Sequence, residues 1–262
     1  MTSLATSLAH ERYCDEIVLL TDTLRSAISG ADLEATVPTC PEWTLRDLAV
    51  HIGGAHRWAA EIIRTRATEE VPDEQVPASA PDGEDPAVLD AWLAAGAAGA
   101  AEALREAGPD TEVWSWYRDQ NAGFWARRMA METVVHLADA SLAAKVPYTM
   151  APDLAADTID EWLEIVAHAQ AEGDPEAAEL RGAGRSLHLH ATDVPDAEWL
   201  IEFGEDGFTW SRAHGKATVA LRGPLTDLML VFNRRLAPDS DRVELLGDAE
   251  LLDFWLARSS FG

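Results

Sequence analysis

Cysteine is scarce: the 262 residues contain only Cys14 and Cys40. Two cysteines cannot build a disulfide framework, and these form no Cys-x-x-Cys pair. Neither has a local basic partner, so both read as inert thiols rather than nucleophiles. Basic residues are also few. Twenty Lys and Arg stand against 46 Asp and Glu, a formal charge of −26. That balance argues against nucleic acid and against an anionic membrane as partners, because both recruit positive charge. No apolar run is expected to span a bilayer. Glu11, Asp15 and Glu16 stand where a signal peptide would carry its Lys/Arg cluster. A reducing, cytoplasmic home is the simplest expectation. The chain also lacks a Gly-x-Ser-x-Gly elbow, a phosphate-binding glycine loop and zinc-finger spacing.

What remains is a chain long enough for two domains, with ten Trp against three Tyr. Leu8, Tyr13, Ile17, Leu20, Leu24 and Ile28 recur at helical spacing, predicting a first helix over 7–29 that Gly30 stops. Val37 to Trp43 holds two prolines and reads as extended. Thr44 and Asp47 form a capping-box variant that opens a second helix, from Leu45 to about Arg66. His51 lies on the flank of its apolar stripe and points inward, whereas His56 is expected to face elsewhere. Gly53-Gly54 inside this helix costs about 1 kcal/mol per glycine relative to Ala, which implies close approach of another helix or of a ligand. The acidic, Pro-rich segment 67–86 reads as a loop, a candidate rim or lid. An Ala-rich third helix follows over 87–107. Glu112 to Tyr117 is short and aromatic, and reads as extended.

The fourth helix is expected from about Asn121 to Ala144. Trp125, Met129, Glu132, His136, Asp139 and Ala143 fall on one stripe, the spacing of an inward face. A carboxylate and an imidazole thus occupy i and i+4 where a core would place Leu or Val. Buried charge must be paired or must hold a metal. Four such helices suggest an up-and-down bundle with a site in its core.

Beyond residue 150 the character changes. A helix over 153–171 precedes four period-2 segments, at 186–190, 198–203, 207–211 and 217–221, with a hairpin turn at 204–207. Two helices close the chain, at 224–236 and 248–258. The expected fold class is therefore α+β: residues 1–150 a helical bundle, residues 151–262 a small antiparallel sheet covered by helices.

His51, Glu132 and His136 make a ligand set of borderline hardness that suits Zn²⁺ and leaves one position open. Asp139 is placed to orient the imidazole of His136. Arg127 and Arg128, one turn before Glu132, are placed to bind an anionic group. The same pattern also fits a buried Glu132–His136 ion pair with His51 as a satisfied core histidine. His188 and His190 share a strand face and admit a metal pair, but read better as a half-exposed sheet face. The tryptophans read as core and cleft wall.

Residues 37–54 (Val-Pro-Thr-Cys-Pro-Glu-Trp-Thr-Leu-Arg-Asp-Leu-Ala-Val-His-Ile-Gly-Gly) resemble the opening motif of the mycothiol-dependent maleylpyruvate isomerase family. Residues 125–140 resemble its second motif, and residues 221–235 followed by Gly247-Asp248 its third. The resemblance spans nearly the whole chain. It implies a DinB-like four-helix bundle holding a divalent metal, usually zinc, on His51, Glu132 and His136. It implies a sterol-carrier-like C-terminal domain that supplies an arginine to the cleft, best matched by Arg234 and less well by Arg235 and Arg222. It further implies mycothiol as thiol cosubstrate and a small electrophilic, carboxylate-bearing substrate. In the isomerase, thiol addition across a cis double bond permits rotation before elimination. A mycothiol S-transferase or a metal-stabilised binding module would share these motifs.

Overall fold

The computed structural model describes residues 8–259. These form seven α-helices and seven strands, an α+β fold. The chain divides into two compact units, one ending at Tyr148 and the other beginning at Thr149.

In the first unit, helix α1 spans His10–Ile28; the expected start at residue 7 lies outside the described residues. A short ribbon follows, β1 (Thr36–Val37) and β2 (Cys40–Thr44), turning at Pro38 and Thr39. Helix α2 (Leu45–Thr65) begins at the expected capping box: Thr44 accepts from the Asp47 amide, and Asp47 accepts from the Thr44 amide. Helix α3 (Pro86–Ala107) is capped by Asp85 and closed by Gly108 at φ 75°. Helix α4 (Ala122–Ala144) starts where the Asn121 side chain accepts from the Phe124 amide. The expected strand at 112–117 is instead an irregular loop with one bridge, Glu112 to Asn121. The Gln120 side chain satisfies its polar groups locally, accepting from the Ser115 amide and donating to the Ser115 carbonyl.

A simple up-and-down bundle would pack successive helices side by side. Here α1 and α2 each pack against α3 and α4, so these first two helices lie across the bundle diagonal from one another. The ribbon β1–β2 makes this crossing and lies against α2 and α4. Helix α3 corrects the expectation about membrane spans. Its length and composition suffice for one. Its alanines instead let α1 and α2 approach, and Ala97, Ala100 and Ala101 are buried.

The two adjacent glycines of α2 do different things. A Cβ on Gly53 would lie 2.0 Å from the Trp92 ring, so that residue must be bare for α3 to dock. A Cβ on Gly54 would meet nothing nearer than a backbone oxygen at 3.8 Å. The Trp92 ring is held in this notch by Arg57, which stacks 4.0 Å from the ring and donates to the Gly53 and Trp92 carbonyls. The segment 67–86 is tied down by tryptophan N–H groups: Trp58 donates to the Val71 carbonyl and Trp92 to the Ala78 carbonyl.

In the second unit, helix α5 (Pro152–Glu172) precedes a five-stranded sheet. Its strands are β3 (Arg185–Ala191), β4 (Glu198–Phe203), β5 (Phe208–Ser211), β6 (Val219–Gly223) and β7 (Glu244–Gly247), in the order β5-β4-β3-β6-β7. Helices α6 (Leu225–Phe232) and α7 (Ala249–Arg258) complete the unit. The expected antiparallel sheet proves to be mixed, because β3 and β6 run parallel. Strand β7 had no period-2 signal: its burial pattern has no buried residue, as befits an edge. Leu187, Leu189, Trp199, Ile201 and Leu221 fill one face of the sheet with Trp255 and Phe232, whose rings stack at 5.4 Å. The buried Asp160 of α5 accepts from Trp199 Nε1 and from Arg212, tying the helix to β4 and to the loop after β5.

Replacing Gly53 by Ala should destabilise the protein by about 1–3 kcal/mol through overpacking against Trp92. Gly54→Ala should be neutral or stabilising, by up to about 1 kcal/mol, through helix propensity alone. Chemical denaturation of the two variants side by side reads the difference.

Candidate metal centre

His51 reaches the bundle interior from α2, and Glu132 and His136 reach it from α4. Their spacing follows from helix geometry: residues four apart share a face, so the α4 stripe aims acid and imidazole the same way. The Nε2 atoms of His51 and His136 both lie 3.1 Å from one atom, Glu132 Oε1. All three donor atoms fall within 4.8 Å of one another. The His51 and His136 rings meet edge to face with centroids 4.9 Å apart. Trp43 of β2 leans over both, 4.8 Å from the His51 ring and 6.1 Å from that of His136. The cluster grades from 37% exposed at His51 through 25% at Glu132 to 10% at His136. One side of it is therefore reachable and the other enclosed.

Two of the three candidate ligands, Glu132 and His136, are held from behind. Arg128 donates from Nη2 to Glu132 Oε2 at 2.9 Å, so the two carboxylate oxygens are used differently. This guanidinium was expected to bind an outside anion; it is buried and engaged with Glu132. His136 Nδ1 lies 2.8 Å from Asp139 Oδ2. Asp139 is fully buried and also accepts from Thr39 Oγ1 at the tip of the ribbon. Its acceptors fix the His136 tautomer with the proton on Nδ1, which turns Nε2 toward Glu132.

Burial opposes charge on both members of the pair, and hydrogen bonding overrides it. Burial pushes the Glu132 carboxyl up, but bonds from His136 and His51 and the Arg128 charge hold it well below the usual carboxylate range. Burial pushes His136 down, but Asp139 and Glu132 raise it to about 9. Without a metal, His136 is therefore a cation donating from both ring nitrogens.

The residues present fit a divalent metal. Three donors at bonds of about 2.0–2.1 Å on a tetrahedron stand about 3.4 Å apart, so the observed 3.1 Å separations need open only slightly. Two imidazoles and a carboxylate are the donor chemistry of zinc and its neighbours, and Asp139 supplies the outer hydrogen bond such imidazoles carry.

His56 corrects the expectation that it faces away. It is fully buried, with Nε2 3.0 Å from Thr133 Oγ1 of α4. The Thr133 hydroxyl spends its own proton on the Met129 carbonyl, so His56 Nε2 is the donor. Burial pushes His56 down to about 4 and keeps it neutral. Helix α2 packs against both α3 and α4, so a residue off the His51 face is buried as well. Thr39 and Trp43 were also missed as site residues, because a ribbon's fold over a bundle leaves no periodicity. Cys14 is buried and pushed up to about 11, an inert thiol. Arg234 belongs to the second unit and is exposed, at φ 64°. Of its alternatives, Arg222 pairs with Glu244, and Arg235 donates to the Asn233 carbonyl.

Bundle and cluster together define a class: a helical domain with a cluster of two histidines and one glutamate able to hold a metal, followed by a mixed-sheet domain. Residues 15–141 match the family described as mycothiol maleylpyruvate isomerase N-terminal domain, and residues 153–254 match the corresponding C-terminal domain. The chain belongs to the mycothiol-dependent maleylpyruvate isomerase family. The crystal structure of a mycothiol-dependent maleylpyruvate isomerase is similar over 94% of this chain and 95% of its own, at 20% identity and a TM-score of 0.61. A histidine-to-alanine mutant of that isomerase is similar over the same shares, at 19% identity and a TM-score of 0.59. No curated protein matches the chain.

Metal uptake must displace the His136 proton. Binding near neutral pH should release about one proton per ion, and apparent affinity should rise with pH until about 9. Calorimetry in buffers of differing ionisation enthalpy measures this. In the metal-free protein the raised His136 value stabilises the fold fully below 6.5, and that stabilisation is lost as pH climbs through 9. Asp139→Asn should weaken metal affinity about 10–100-fold with all three ligands in place.

Proposed function

We propose that the chain is an enzyme that uses a divalent metal, zinc by the character of its ligands, and mycothiol to activate sulfur for addition to a small electrophile. The observation that carries this reading is the convergence of His51 Nε2, His136 Nε2 and Glu132 within 4.8 Å on the half-open side of the bundle. Family membership supplies the thiol, and the buried Cys14, its thiol pushed up to about 11, gives no competing nucleophile. The reading takes residues 1–150 as the metal-binding domain, residues 151–262 as the accessory domain, and the cytoplasm as the setting.

His51, Glu132 and His136 would hold the ion, which supplies Lewis acidity that converts a coordinated thiol to thiolate at neutral pH. The remaining work belongs to the chain. Asp139 holds the proton on His136 Nδ1 and so keeps Nε2 free to ligate. Arg128 occupies Glu132 Oε2 and leaves Oε1 for the site. Trp43 shields both imidazoles and excludes water from one flank. Three protein ligands leave room for the sulfur of a small molecule. In the isomerase reading, sulfur bonds to one carbon of a cis double bond and the adjacent carbon takes up the negative charge. Rotation about the resulting single bond and expulsion of the thiolate then return a trans product and the cosubstrate unchanged. Arg234 is assigned to a carboxylate of the substrate, which a guanidinium matches in charge and geometry.

Metal analysis tests the ligands. His51→Ala and Glu132→Ala should each lose one equivalent of metal relative to the parent protein; an unchanged content in both would overturn the assignment. Mycothiol should alter the visible spectrum of a cobalt-substituted protein. If it neither binds nor perturbs that spectrum, the binding-module reading replaces the enzyme. Conversion of a carboxylate-bearing cis-alkene without consumption of mycothiol marks an isomerase, and stoichiometric conjugation a transferase. Arg234→Ala should raise KM for the carboxylate substrate more than it lowers kcat.

A further inference from the structure

A second ligand cluster lies on the sheet of the C-terminal unit. His188 and His190 are two apart on β3 and project from one face. The β3–β4 register sets His190 opposite Glu198. His214 arrives from the loop after β5. Its position is fixed from both sides: Arg212 is anchored to Asp160, and Gly215 presses on Leu200, where a Cβ would come within 2.9 Å. Three imidazole nitrogens surround one atom, Glu198 Oε2. His188 Nε2 stands at 2.9 Å, His190 Nδ1 at 3.0 Å and His214 Nδ1 at 2.6 Å. The four donor atoms lie within 4.8 Å of one another.

Hydrogen bonding alone explains this poorly. A carboxylate oxygen offers two lone pairs, and three rings compete for it. His188 loses: it is 4% exposed, and its Nε2 has no hydrogen-bond partner although Glu198 is near. A buried ring nitrogen without a partner is costly, and this one is aimed at the centre of the cluster. We propose that His188, His190, Glu198 and His214 form a second divalent-metal site of zinc character, independent of the one in the bundle. Tetrahedral edges of about 3.4 Å require the nitrogens to move back from Glu198 Oε2 by about 0.4–0.8 Å. Four protein ligands close the coordination shell. The role is therefore structural: the ion joins the 75% exposed side chain of His214, on a loop already anchored through Arg212, to the central strands of the sheet.

The test uses the full chain, stripped by chelation and reloaded with Zn²⁺ alone. After desalting, the parent protein should retain two equivalents, His51→Ala/Glu132→Gln one, His190→Ala/His214→Ala one, and the fourfold variant none. A parent that holds one equivalent, still held by the His190→Ala/His214→Ala variant, overturns the second site. A parent that holds one equivalent, lost in that same variant, upholds it and instead removes the bundle site. Should the double variant misfold by circular dichroism, His214→Ala alone is read in the His51→Ala/Glu132→Gln background. Its zinc affinity should fall at least about tenfold, and the zinc-induced rise in unfolding temperature should shrink with it; unchanged values refute the proposal.

Discussion

The first unit depends on one carboxylate oxygen. Glu132 Oε1 sits between two imidazole nitrogens from different helices, while Arg128 takes the other oxygen. A carboxylate in a helix core is costly unless every lone pair is used. Here the same groups that satisfy it define a ligand set. The polar interior that would weaken an ordinary bundle is what joins α2 to α4 at this level.

The surrounding fold is arranged to hold that contact. Gly53 admits the Trp92 ring and lets α3 seat against α2, and the capping box at Thr44 fixes where α2 begins, at Leu45, six residues before His51. The ribbon brings Trp43 over the rings and Thr39 onto Asp139. His56 and Thr133 make a second, neutral bond between the same two helices, and it is fully buried. α2 and α4 are thus joined by one charged contact that is open to a ligand and one neutral contact that is closed.

Much of this was legible in the sequence where periodicity speaks. The inward stripe of α4, the capping box, the Gly204–Gly207 hairpin and the alternating strands β3 to β6 follow from spacing and turn chemistry. Contacts that depend on how separate elements dock were not legible. Arg128 reads as an anion binder until it is seen buried against Glu132. His56 is five residues from His51, off its face by simple helical counting, yet α2 packs against both α3 and α4, which buries His56 while His51 stays half-buried. Strand β7, with no buried residue, had no pattern to find. The parallel pairing of β3 with β6 is a property of topology that a strand's own sequence does not carry. Glu198 and His214, eight and 24 positions beyond His190, join it only through sheet register and a loop anchored elsewhere.

The hydrogen bond from Thr39 to Asp139 has a consequence for how such a protein can diverge. The ribbon tip touches no ligand, yet it shares the acceptor that sets the electron density of the His136 ring. Replacing a tip residue would make that imidazole a stronger or weaker base without disturbing a single donor atom. A lineage could therefore tune the basicity of that imidazole from the periphery while keeping the inner constellation constant.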